Sequence, residues 1–167
     1  MKLVKADIGQ VGRIMEIIDE ARQLLRQSGS PQWQNGYPQA ADIEHDCRRG
    51  TAYVMVDGGE VVAYGAVIFT GEEAYNAIEG RWLSDRPYVV LHRLAVTESQ
   101  RGRGVAQRFF ETVAQLAAER GVESFRVDTH EMNGIMRHIL QKTGFTCCGR
   151  VWYDGSPRMA YERMLKL

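Results

Sequence analysis

The chain has 167 residues, 44% of them hydrophobic and 25% charged, with 21 basic and 21 acidic side chains that cancel. This balance suits one globular domain, residues 1–167, and excludes a global field for nucleic acid or anionic lipid, so neither is expected as a partner. Cys47, Cys147 and Cys148 are odd in number and lack metal-ligand spacing; with no signal peptide and no 18-residue apolar run, a metal-free, membrane-free cytoplasmic protein is expected.

In chain order, residues 2–6 form a short strand. Asp7 then stands as an N-cap with Gln10 in capping-box position, and Val11, Ile14, Met15, Ile18, Ala21 and Leu25 give an amphipathic helix over 8–28. The stretch SGSPQWQNGYP breaks it, and a shorter helix covers 40–49. Two β-rich runs flank Asp57-Gly58-Gly59 as a hairpin, because a tight turn needs positive φ. Residues 71–87 have no strong period and read as a long connection with room for a helical turn. YVVLHRLAV, residues 88–96, is the fourth strand, and a helix follows through about Glu119, with Val105, Phe109, Val113 and Leu116 as its buried stripe. SFRVDTH is the fifth strand, and the next helix ends at Gly144. A hairpin through Asp154-Gly155-Ser156-Pro157 closes the chain. The class is α/β with a mixed sheet.

SQRGRGVAQRFF, residues 99–110, places Gly102 and Gly104 beside Arg101 and Arg103 at the start of a helix. Glycine weakens a helix and cations disfavour its N-terminus, so an anion lodged there is the natural compensation. A P-loop string is absent, and a dinucleotide fingerprint fails because Gln107 holds the place of its third glycine. Amides from Arg101 to Ala106, through Gly102, Arg103, Gly104 and Val105, can instead line one concavity for a diphosphate. The competing reading is a surface turn with solvated arginines.

Arg101-x-x-Gly104-x-Ala106 after Leu94-Ala95-Val96 resembles motif A of the GNAT superfamily, the GCN5-related N-acetyltransferases. Downstream, Asn133 opening a helix that ends in Gly144-Phe145 resembles the family's second motif, and the element order agrees along the whole chain. The resemblance implies the GNAT fold: a mostly antiparallel mixed sheet of about seven strands with a splay between strands 4 and 5, flanked by about four helices. It implies acetyl-CoA as co-substrate. The pantetheine would pair with the backbone of Leu94 and Val96, the diphosphate would sit on residues 101–106, and Asn133 would lie beside the pantetheine. It implies N-acetylation of a primary amine, small-molecule or peptide, by direct attack in a ternary complex. It also admits a homodimer.

Within that resemblance, the Leu94 N–H is the expected oxyanion donor and His92 the candidate base; a packed histidine is the competing role. His92 shares a face with Val90, Leu94 and Val96 if the strand alternates regularly. Many family members place a tyrosine general acid where Leu140 stands, so that acid is missing; Tyr153 and Tyr75 are substitutes whose hydroxyls the sequence does not place. This absence motivates the other function, a catalytically weak acyl-CoA-binding regulatory module. His130 and Glu131 lie at the end of the fifth strand, and Cys147 and Cys148 read as small buried apolar residues. Trp33, Tyr37, Glu72, Glu73, Tyr75 and Trp82 fall in the segments expected to form the acceptor pocket, either as an ammonium box or as loop anchors.

Overall fold

The seven strands and four helices read from the sequence are all present in the computed structural model, which describes residues 1–167. An eighth strand, two residues long, is added within the 71–87 connection. The elements run β1 (Lys2–Lys5), α1 (Val11–Gln27), α2 (Ala40–Arg49), β2 (Ala52–Asp57), β3 (Glu60–Ile68), β4 (Glu79–Gly80), β5 (Tyr88–Val96), α3 (Val105–Glu119), β6 (Ser124–Thr129), α4 (Gly134–Lys142), β7 (Thr146–Tyr153) and β8 (Ser156–Met164). The class is mixed α/β, mostly antiparallel with β5 and β6 as a parallel pair. The chain forms two compact units, Met1–Val67 with Arg93–Phe109, and Ile68–His92 with Phe110–Leu167. No helix is long and apolar enough to cross a membrane.

In the first unit, β1, β2 and β3 pair antiparallel in that order. Gly58 and Gly59, at φ 57° and 82°, make the two-residue turn that the Asp-Gly-Gly string calls for. Asp7 caps as expected: its carboxylate accepts from the Gly9 N–H at 2.8 Å, and its own N–H donates to Gln10 Oε1 at 3.0 Å. The turn that it caps is 3₁₀ over Ile8–Gln10, so the α-helix starts at Val11 rather than at residue 8. Ile14, Ile17 and Ile18 of α1 and Ile43 of α2 pack with Val54, Val61, Tyr64 and Ala95. Each buried isoleucine contributes about 1.5–3 kcal/mol relative to exposure.

In the second unit the strand order is β5, β6, β8, β7, β4. Phe110, Phe125 and Phe145 form a ring cluster with centroids 5.8, 5.5 and 5.1 Å apart. Tyr75, Val90, Val151 and Ala160 make a second cluster, against which Trp82, Tyr88 and Tyr153 pack. Cys147 is exposed and Cys148 half-buried, which corrects the reading of both as buried apolar residues. Adjacent strand residues point to opposite faces, so the two do not share one burial, and Cys148 is the extra residue where the register shifts between Cys147 and Gly149.

Gly149 explains how β4 reaches β7. A Cβ there would lie 2.1 Å from the Glu79 carbonyl oxygen, and the residue sits at φ 143°. Opposite it, Gly80 meets the Cys148 carbonyl in the same way. Gly149→Ala should therefore detach β4 and destabilise the domain by about 1–3 kcal/mol. Thermal denaturation reads this directly, and an unchanged melting temperature would show that β4 yields freely.

Candidate active site

The glycine turn lies between β5 and α3, in the first unit. Thr97 and Glu98, which lead into it, are tied to α1. The Thr97 hydroxyl donates to Glu20 at 3.1 Å, the Glu98 N–H donates to Glu20 at 2.9 Å, and Arg13 Nη2 donates to the Thr97 hydroxyl at 3.2 Å. Gly102 and Gly104 adopt φ 75° and 76°, and a Cβ at either would meet nothing within 4 Å. Space is therefore open beside the backbone. Val105 is buried and anchors the start of α3, while Gly102, Arg103 and Gly104 are exposed and Ala106 is half-buried. The first amides of α3 have no partner inside the helix. Arg101 Nη2 is shut off from solvent and donates to no protein atom. A buried guanidinium nitrogen without an acceptor is costly, and a phosphate oxygen is the kind of group that satisfies it. Residues 101–106 thus fit an anionic diphosphate.

The expected splay is visible in the pairing of β5. Tyr88, Val89 and Val90 pair with Ser124, Phe125 and Arg126, and there the parallel ladder stops, although β6 runs on to Thr129. Arg93 follows at φ 57°, inside β5. A left-handed residue breaks the two-residue alternation, so the period does not carry a shared face from His92 across to Leu94 and Val96. Leu94 and Val96 are half-buried.

Arg93 is held by a fork. Its Nε and Nη2 donate to the Asp46 carboxylate at 2.9 and 2.7 Å, its Nη1 donates to the Tyr37 hydroxyl at 2.8 Å, and the Tyr64 hydroxyl donates to Asp46 as well. Burial works against the charge on Arg93, but Tyr37 and Asp46 more than offset it and its pKa is raised. Burial and the Asp46 charge hold the Tyr64 hydroxyl protonated.

His92 belongs to the second unit, in a cluster that only part of the sequence signal announces. Its Nε2 lies 3.0 Å from Glu72 Oε2, and its Nδ1 lies 3.8 Å from Asp128 Oδ2. The Tyr75 and Tyr153 hydroxyls both donate to Asp128 Oδ2, at 2.7 and 3.0 Å. Burial first, and then the Asp128 charge, pushes both hydroxyls well above the ordinary tyrosine value. Both rings stand edge-on to the imidazole, with centroids 6.3 and 6.4 Å away. The result is a fixed imidazole between two carboxylates, with a side chain 16% exposed. Each ring nitrogen therefore faces a carboxylate oxygen.

A family model described as the acetyltransferase (GNAT) family matches residues 18–145. A GNAT-family acetyltransferase from Streptococcus agalactiae is 40% identical, with a TM-score of 0.90, covering 99% of this chain and 96% of its own. This chain belongs to the GNAT acetyltransferase family. The fold also matches the PaiA N-acetyltransferase of Thermoplasma acidophilum, solved with coenzyme A, at 11% identity, TM-score 0.71 and 98% coverage of both chains. YncA of Salmonella typhimurium, solved with acetyl-CoA, matches at 13% identity and TM-score 0.69, covering 100% of this chain and 95% of its own. No curated protein matches the sequence.

In this GNAT domain, Asn133 is buried and caps α4, its Oδ1 accepting from the Met136 N–H at 3.1 Å. Leu140, where many family members carry a tyrosine, is fully buried. Tyr75 and Tyr153, the substitutes, both direct their protons at Asp128. His130 accepts from the Met132 N–H at 3.1 Å; burial, then Arg158, lowers its pKa. Of the acceptor-pocket residues, Trp82 is a loop anchor: its Nε1 donates to the Tyr75 carbonyl at 2.9 Å, and the Arg126 guanidinium lies 4.2 Å over its ring. Trp33 packs against the first unit's core, and Tyr37 serves Arg93. Sequence reasoning missed Asp128 and had Glu72 only as a pocket residue. No local signal separates Asp128 from a solvated strand residue.

Proposed function

We propose that this GNAT domain is a cytoplasmic N-acetyltransferase that moves the acetyl group of acetyl-CoA to a small-molecule or peptide primary amine by direct attack in a ternary complex. The single observation that carries the co-substrate is Arg101 Nη2, buried and without an acceptor, in an open glycine turn ahead of α3. Acetyl-CoA, when bound, supplies an activated thioester. The amides of residues 101–106 and Arg101 bind its diphosphate, and the backbone of Leu94 and Val96 holds the pantetheine. His92 takes a proton from the amine, through water, and Glu72, by accepting the Nε2 hydrogen, leaves Nδ1 as the nitrogen that receives it. The Leu94 N–H donates to the developing oxyanion. Three free cysteines accord with a reducing compartment.

Incubation with a panel of primary amines and acetyl-CoA should release free CoA. In thermal shift, acetyl-CoA at 100 times its Kd should add about 2.7 kcal/mol of stability, and ATP or NAD should not. Stabilisation by ATP or NAD alone would overturn the reading. The fully buried Leu140 favours a second reading, an acyl-CoA-binding regulatory module. Tight acetyl-CoA binding with no turnover on any amine would select it.

Arg101→Ala tests the cradle separately. It removes a donor that serves no protein atom through Nη2, so the melting temperature should hold. A charge-assisted hydrogen bond is worth about 1.5–3 kcal/mol, so acetyl-CoA affinity should fall roughly 10- to 150-fold by calorimetry. Unchanged affinity would remove Arg101 from the site.

A further inference from the structure

Arg93 is one of three non-glycine residues with positive φ; the other two, Trp33 and Asp154, lie outside the strands and helices. Left-handed backbone is unfavourable for an arginine, whose Cβ crowds the following carbonyl oxygen, and arginine has no short polar side chain to hydrogen-bond its own backbone there. Something non-local must hold it. Asp46, on α2 and 3% exposed, grips Nε and Nη2 bidentately, and the Tyr64 hydroxyl from β3 and the Tyr37 hydroxyl complete the shell. Asp46 is itself fixed, because α2 is closed at its start by a reciprocal Gln39–Asp42 capping box and at its end by Gly50 at φ 72°. The direction of the Leu94 N–H is set by the torsions of the peptide that joins it to Arg93.

We infer that Asp46 and Arg93 form a latch that aims the Leu94 N–H, making both of them positioning residues for acetyl transfer. The inference rests on the acetyl-transfer reading above. The latch acts through backbone conformation rather than through contact with the substrate. It converts a buried ion pair into a fixed φ inside β5, which strand pairing alone would leave extended. Breaking the fork lets residue 93 relax toward extended φ and turns the Leu94 N–H away.

The test separates backbone from contact. Asp46→Ala should lower kcat on the order of 10- to 100-fold, because misplacing a reacting geometry by about 1 Å costs that much, with KM for acetyl-CoA nearly unchanged. In the Asp46→Ala background, Arg93→Gly and Arg93→Ala delete the same contacts and the same unpaired charge. Only glycine adopts positive φ freely. The Asp46→Ala/Arg93→Gly protein should recover most of kcat, and the Asp46→Ala/Arg93→Ala protein should not. The carbonyl stretch of bound acetyl-CoA, read by infrared difference spectroscopy, should sit at lower frequency in the wild type and in the glycine variant than in the alanine variant. If Asp46→Ala does not fold, the two double variants decide, since neither leaves a buried charge. Equal kcat and equal carbonyl frequency in the two double variants would overturn the latch while leaving acetyl transfer intact. A wild type that binds no acetyl-CoA would bring down the transfer reading and the latch with it.

Discussion

Glu162→Ala should lower the melting temperature by roughly 6–20 °C, the largest stability loss expected from a single residue here. Glu162 is fully buried on β8. It accepts from the Leu83 N–H at 2.5 Å, from the Ser84 hydroxyl at 3.0 Å and from Arg126 Nε at 3.1 Å, and the Ser124 hydroxyl donates to it too. Arg126 is itself buried, its guanidinium 4.2 Å from the centroids of both the Trp82 and the Tyr88 ring. Removing the carboxylate leaves that cation unpaired, at a cost of about 3–5 kcal/mol, and also frees the Leu83–Ser84 loop. Because such a pair carries its own desolvation cost, Arg126→Met in the Glu162→Ala background should recover part of the loss. The double-mutant cycle should then show a coupling of about 1–3 kcal/mol. A single variant as stable as the wild type would show that water replaces Glu162 at no cost.

His92→Ala should lower kcat roughly 100- to 10,000-fold with little change in KM for acetyl-CoA, the range expected when a positioned general base is lost. The deficit should shrink as pH rises, because more of the acceptor amine is then already neutral. Glu72→Gln should cost less, since it keeps an acceptor beside Nε2 while removing the charge. The imidazole also packs against Tyr75 and Tyr153, so the melting temperature of each variant must accompany the kinetics. A pH–rate profile for His92→Ala that coincides with the wild type would take His92 out of the proton path.

Much of the candidate site was legible because its signals are local. The cradle is a run of consecutive amides, and Gly102 and Gly104 adopt the positive φ that their lack of Cβ permits. His92 was legible as a titratable residue beside the Leu94-Ala95-Val96 strand end. Asp128 was not, because nothing in its neighbours distinguishes it from a solvated strand residue. Its role comes from two hydroxyls and an imidazole brought to it by Tyr75, His92 and Tyr153. Arg93 was equally opaque: no local pattern demands left-handed backbone at an arginine in a strand-forming run. Cys147 and Cys148 were misread as one buried pair although neighbouring strand residues point to opposite faces, and the shift after Cys147 adds an irregularity that no local pattern foresees.

By itself the sequence determined the order and type of the four helices and of every strand except β4, the Asp-Gly-Gly hairpin, the Asp7 cap and the glycine turn ahead of α3. Each follows from side-chain period or turn chemistry acting over a handful of residues. Only the tertiary structure decided that β5 leaves β6 after Val90, that Asp46 holds Arg93 left-handed, and that Glu72, Asp128, Tyr75 and Tyr153 close on His92. The physical reason is that these partners lie tens of residues apart. Their meeting depends on strand register and helix packing, which the whole chain sets at once and no local window contains.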